Sequence, residues 1–179
     1  MSTKLDTKTK LILTAIITFL ILGILLLEHF RGGVVSHHLL DNKNLPKVSN
    51  WWGILTIPIV SWITLFFLQK NNTNSNNEQK PISKTQVYGF ISAFLFGVIL
   101  TVLFKSSLEI HNYLLLLTFA IALFVPIYRP EYYLGFILSM SFGFGGILPV
   151  IFGLFLIAIY TVEYKLIRRG FLFVFNRFK

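Results

Sequence analysis

Long runs of apolar residues without a polar face constrain this chain more than any other feature of its sequence. A helix that is apolar all round is solvated by lipid or buried, and a helix that crosses a bilayer needs about 20 such residues. Hydrophobic residues make up 55% of the 179 residues and charged residues only 13%, whereas soluble domains carry about 25% charged residues. The sequence therefore predicts an all-α, polytopic transmembrane helical bundle that forms a single domain over residues 1–179.

Four apolar blocks are typical of full membrane spans, and a fifth is interrupted. The four blocks are Leu11–Phe30, Trp51–Leu68, Val87–Phe104 and Ile110–Tyr128. The fifth block, Tyr132–Val162, is too long for one untilted span and short for two. Its Gly143–Pro149 segment is rich in glycine and contains a proline, which predicts a break and about six membrane segments. The alternatives are a re-entrant segment followed by a span, or one long, tilted and kinked helix.

The distribution of Lys and Arg predicts the orientation. With six crossings, 12 of the 16 Lys and Arg residues lie on the side that holds both termini, and the positive-inside rule places that side in the cytoplasm. We therefore expect an integral plasma (inner) membrane protein with cytoplasmic N- and C-termini. The net charge of +9 suits contact with the bilayer and with anionic lipids at the cytoplasmic face better than contact with nucleic acid.

Two polar segments accompany the blocks. Residues 71–84, rich in Asn, predict a mobile cytoplasmic linker with nothing to bury. Residues 163–179 mix basic and aromatic residues and form a cytoplasmic tail. This tail is either a helix that lies along the anionic inner surface or the end of the last span.

The clearest candidate for chemistry is the connection between the first two blocks, where Glu28, His37, His38 and Asp41 occur close together. If Ser36–Asp41 is helical, His37 and His38 each share a face with Asp41. Imidazole and carboxylate groups could hold a divalent metal (Zn or Fe), with His37, His38 and Asp41 as ligands, or a His could act as a general base. The alternative is a surface loop whose polar residues cap helix ends and meet water.

Neighbouring residues could add to a binding site at that rim. Trp51 and Trp52 either anchor the chain at headgroup level or form a stacking wall for a ligand. His111 lies at the start of the fourth block, on the same predicted outer side, and could complete the site with His37, His38 and Asp41.

Two further patterns lie in the second half of the chain. Arg129 and Glu131 flank a proline, which indicates a tight turn with a local ion pair or, alternatively, a gate or partner contact. Gly135, Ser139 and Gly143 are spaced by four, which favours close helix packing in lipid. A substrate site in a broken helix is the alternative for this segment.

Several function classes are excluded or disfavoured. The absence of Cys excludes disulfides and thiolate chemistry. No ionisable residue lies mid-span in the apolar blocks, which disfavours a proton-driven transporter. The preferred hypothesis is a non-enzymatic binding, transport or channel-type component, or a subunit that forms a homo-oligomer or joins a membrane partner. The alternatives are a membrane-embedded enzyme that acts on a lipid or amphiphile through Glu28, His37, His38 and Asp41, and a sensor or immunity-type protein.

Overall fold

The computed structural model describes residues 4–38, 44, 46–73, 78–106 and 110–170, with the backbone alone at residues 37, 38 and 110–112. The helices are α1 (Thr7–Phe30), α2 (Gly53–Asn71), α3 (Lys84–Lys105), α4 (Ile110–Phe124), α5 (Pro130–Phe144) and α6 (Ile147–Val162). Two three-residue strands, β1 (Ser36–His38) and β2 (Lys47–Ser49), pair antiparallel between α1 and α2. Helices therefore dominate the described chain, and this hairpin is its one pair of strands.

Four helical segments are long and apolar enough to cross a membrane. They are residues Thr7–Phe30, Asn50–Asn71, Lys84–Lys105 and Ile147–Gly170. The first three coincide with predicted blocks. The fourth predicted block gives a shorter helix, because Pro126 lacks an amide proton and α4 ends at Phe124. The last helix is instead longer than predicted, because a π-helical turn at Glu163–Ile167 carries it on into the basic tail.

The predicted break in the fifth apolar block is confirmed. Helix α5 ends at Phe144 and α6 begins at Ile147. Between them Gly145 has φ +73°, a conformation that glycine adopts at little cost. The block therefore forms two separate helices and not one kinked helix.

Contacts between helix ends show that successive helices run in opposite directions. Lys10 near the start of α1 donates to the Gln69 side chain near the end of α2. Asn72 and Gln86 exchange side-chain hydrogen bonds of 3.1 and 2.8 Å between the end of α2 and the start of α3. At the opposite end of the bundle, the Phe104 ring of α3 meets the Phe144 ring of α5 at 5.5 Å.

We call the two ends of the bundle the basic end and the hairpin end. The described basic residues of the basic end are Lys4, Lys8, Lys10, Lys70, Lys80, Lys84, Arg129, Lys165, Arg168 and Arg169. Those of the hairpin end, which holds the β1–β2 pair, are Arg31, Lys47 and Lys105. Both ends of the described chain, residues 4 and 170, lie at the basic end.

The basic end is fastened by hydrogen bonds around the start of α1. Asp6 caps this helix by accepting a 2.8 Å hydrogen bond from the Thr9 amide, and hydrogen bonds from the Thr9 side chain and amide lower the pKa of Asp6. Gln79 donates its side-chain amide to the Leu5 carbonyl at 3.1 Å. The described flanks of the predicted 71–84 linker are thus attached to the bundle, and its residues 74–77 lie outside the described part.

Helix α5 is the centre of the bundle. It packs against α2, α3 and α6, and a Cβ at Gly135 or Gly143 would overlap the Phe90 carbonyl or the Thr101 side chain of α3. A side chain at Gly97 of α3 would in turn overlap Ser139. The prediction that the small residues serve close packing is therefore confirmed. The 15 residues of α5 span about 22 Å, and neighbouring helices cover the flanks of this short helix.

Candidate functional site

The hairpin end places Glu28 against the start of α2. Its Oε2 accepts from the Asn50 side-chain amide at 3.4 Å and from the Val35 amide at 3.3 Å. The Asn50 amide in turn donates to the Val35 carbonyl at 3.0 Å. The Glu28 carboxylate therefore joins the end of α1, the approach to β1 and the start of α2.

Asn50 also packs against the connection between α5 and α6. Its side chain is 8% exposed, and its Oδ1 fills the space that a Cβ at Gly145 would occupy. A Cβ at Gly146 would overlap the Cα of Gly53. The two glycines therefore allow the α5–α6 connection to dock on the start of α2. Asn50 was not among the predicted site residues, because this contact joins residues that are distant in sequence.

The helical geometry expected for the histidine cluster was wrong. His37 and His38 lie in strand β1, opposite Val48 and Lys47 of β2, because this segment finds hydrogen-bond partners across the hairpin. Adjacent residues of a strand point to opposite faces, so the helical face proposed for these residues does not form over Ser36–His38. Asp41 lies outside the described residues, as do the side chains of His37, His38 and His111.

The metal site stays a prediction. Within the described residues, no group of three or more His, Asp or Glu side chains could hold a metal ion. The side chains of the predicted ligands, His37, His38 and Asp41, lie outside that part of the chain.

Trp51 and Trp52 face outward at the hairpin end. Their side chains are 42% and 56% exposed, and the Trp51 ring lies 6.2 Å from the His29 ring. Such exposed tryptophans at the end of a span are typical of headgroup anchoring. The recess beside them, lined by Glu28, Asn50 and Gly145 among others, has a volume of about 10 Å³, which is too small for an organic ligand.

Arg129 and Glu131 lie at the basic end, far from Glu28 along the bundle. The Arg129 carbonyl accepts from the Tyr132 and Tyr133 amides at 3.1 and 3.3 Å and so opens α5. Glu131 is 3% exposed, and a Cβ at Gly89 of α3 would lie 3.2 Å from its Cγ. Glu131 is therefore packed between helices and does not lie in a solvent-exposed turn. The structure does not bring the two predicted groups of site residues together.

A cavity of about 340 Å³ lies between α3, α4, α5 and α6, in the half of the bundle nearer the basic end, and it is partly open at the bundle surface. Its walls are formed by Ser92, Ala93, Phe96, Thr118, Ile121, Val125, Ile127, Tyr132, Tyr133, Phe136, Gly153, Leu156, Ile157 and Tyr160. Its volume falls in the range of about 300–1,000 Å³ that small-molecule sites have. The sequence carried no signal for it, because the lining residues come from four helices.

The cavity walls are chemically suited to an apolar guest. The Thr118 and Tyr160 hydroxyls hydrogen-bond to each other, and the Tyr133 hydroxyl donates to the Val150 carbonyl at 3.2 Å. Ser92 donates to the Gly89 carbonyl at 3.0 Å. Because each of these hydroxyls already has a protein partner, the cavity offers aromatic and aliphatic surface with few free polar groups.

A layer of aromatic and basic residues borders the cavity at the basic end. We call Tyr128, Tyr164, Lys165 and Arg168 the aromatic–basic layer. The Lys165 Nζ lies 5.3 Å from the Tyr128 ring, the two tyrosine rings are 5.6 Å apart, and the Arg168 guanidinium lies 4.7 Å from the Tyr164 ring. Tyr128 directly follows the lining residue Ile127, so the layer adjoins the cavity.

Comparison with known proteins gives no match. No family model, no curated protein and no solved structure matches this chain.

Proposed function

We propose that this membrane protein binds an amphipathic molecule whose apolar part occupies the cavity between α3, α4, α5 and α6. The observation that carries the proposal is a partly open, apolar cavity of about 340 Å³ inside a bundle with helices long enough to cross a membrane. Burial of each methylene contributes about 0.8 kcal/mol relative to water. A chain that enters from the bilayer is already in an apolar medium, so its packing against the cavity walls decides how well it binds.

The proposal makes the protein a binding or transport component and not an enzyme. The Glu28 carboxylate accepts hydrogen bonds from Asn50 and Val35, so it holds the hairpin end together. The alternative of an outer-surface enzyme depends on His37, His38 and Asp41.

We place the basic end in the cytoplasm, because most described Lys and Arg residues lie there. The alternating helix directions support six crossings in this proposal, with α4 and α5 as short members. The proposal includes assembly with a second copy or with a membrane partner subunit. Many apolar side chains face outward and could pack against such a partner as well as against lipid.

The proposal is tested by filling the cavity. Ala93 lines it and is partly buried, whereas Ala158 of α6 is exposed on the outside of the bundle. Native mass spectrometry of purified full-length protein, incubated with a phospholipid, measures the fraction of protein with lipid bound. We expect Ala93→Phe to lower this fraction at least tenfold and Ala158→Phe to leave it unchanged.

A second variant guards against misfolding of the first. Ile121 lines the cavity but is 39% exposed, so Ile121→Trp fills space at the entrance without straining the core. Circular dichroism and gel filtration check that each variant is folded. Equal lipid retention in wild type, Ala93→Phe and Ile121→Trp would contradict the proposed function.

A further inference from the structure

The aromatic–basic layer holds two cations at the border of the apolar cavity. Lys165 and Arg168 lie over the neighbouring rings of Tyr128 and Tyr164, which are 5.6 Å apart. Each contacts a tyrosine ring, and within the described residues neither forms an ion pair with a carboxylate. The described carboxylate of the same segment, Glu163, has its Oε2 without a hydrogen-bond partner, so the layer offers two cations that no described ion pair neutralises.

The position of the layer relative to the cavity matches the shape of a lipid. The cavity is apolar and occupies the basic-end half of the bundle, whereas tyrosines and basic residues at the edge of a span belong to the headgroup region. A molecule that fills both parts has an apolar chain in the cavity and an anionic group at the aromatic–basic layer.

We propose that the bound molecule is an anionic phospholipid from the leaflet at the basic end. One acyl chain lies in the cavity, and the phosphate contacts Lys165 and Arg168. This inference rests on the proposed function. It adds the charge of the ligand and the residues that bind its charged group. Charge complementarity favours this occupant over a neutral lipid, since the basic end carries most of the described cations.

The test is a competition between two phospholipids that have the same acyl chains. Full-length protein is incubated with equal amounts of phosphatidylglycerol and phosphatidylcholine, and native mass spectrometry gives the ratio of the two bound lipids. For wild type we expect phosphatidylglycerol to be favoured about 30-fold, the equivalent of two basic contacts with anionic lipid. In Lys165→Gln/Arg168→Gln the ratio falls close to one while total lipid occupancy persists.

The matched control removes the same charge at the same end. Lys4 precedes α1 and Lys8 lies in its first turn, and α1 does not line the cavity, so Lys4→Gln/Lys8→Gln should keep the wild-type ratio. Lys165→Gln alone, at an exposed position, gives an intermediate ratio and replaces the double variant if that variant does not fold.

The outcomes separate the two proposals. A wild-type ratio near one, an unchanged ratio in Lys165→Gln/Arg168→Gln, or an equal fall in the Lys4/Lys8 control would overturn the anionic-lipid inference and leave the cavity proposal standing. If Ala93→Phe and Ile121→Trp retain both lipids, the cavity is not the binding site and both proposals fail.

Discussion

The amide oxygen of Asn50 occupies the space that a side chain at Gly145 would need. The two residues are distant in sequence, yet their contact joins the start of α2 to the connection between α5 and α6. The Gly145 backbone, at φ +73°, is held in a conformation that residues with a Cβ rarely adopt.

Gly145→Ala should therefore destabilise the protein by two effects. The backbone strain costs about 1–3 kcal/mol, and the new methyl group must also displace Asn50. Gly33→Ala is the matched control, because Gly33 has φ +108° but open space around it. Thermal unfolding in detergent should show a larger loss for Gly145→Ala than for Gly33→Ala, and equal losses would show that the Asn50 contact is unimportant.

Glu28 and Asn50 should be energetically coupled. Their side chains hydrogen-bond at 3.4 Å, so Glu28→Ala and Asn50→Ala remove one shared interaction. A double-mutant cycle of unfolding free energies should give a coupling of about 0.5–1.5 kcal/mol. Glu28→Gln should be closer to wild type than Glu28→Ala, because one side-chain oxygen remains as an acceptor. Additive effects of the two alanine substitutions would argue against a structural role for Glu28.

Lys10, a buried lysine near the start of α1, should stabilise the basic end of the bundle. It is 4% exposed, donates to Gln69 and has its Nζ 5.1 Å from the Trp62 ring. Lys10→Ala should cost about 2 kcal/mol, through the lost charged hydrogen bond and the lost packing of the stem. Lys8→Ala, at an exposed position of the same helix, should change the unfolding free energy by less than about 0.5 kcal/mol. The contribution of Lys10 is refuted if the two variants unfold at the same temperature.

The orientation of the bundle can be tested with single cysteines, because the chain contains none. Lys4→Cys and Gly170→Cys lie at the basic end, and Lys47→Cys lies in the hairpin. A membrane-impermeant maleimide added to intact cells should label Lys47→Cys alone and should reach the other two only after permeabilisation. Labelling of Gly170→Cys in intact cells would contradict six crossings with both termini in the cytoplasm.

The features predicted correctly from sequence depend on local chemistry. The first three spans follow from apolar length, and the break near Gly145 follows from the backbone freedom of glycine. The end of α4 before Pro126 could have been predicted by the same local argument, but the apolar run to Tyr128 obscured it. Strand β1 and the cavity could not have been predicted in this way. Strand β1 depends on its pairing with β2, and the cavity wall is built by four helices whose residues are distant in sequence.

The cavity occupies the half of the bundle nearer the basic end, and farther toward the hairpin end α3 and α5 carry the buried residues Leu100, Ile137 and Met140. Beyond that core lies the Asn50–Gly145 junction. A guest that enters from the half of the bilayer at the basic end would reach the cavity without crossing that packed layer. Such a guest would exchange with the leaflet at the basic end, and its binding would then depend on the composition of that leaflet.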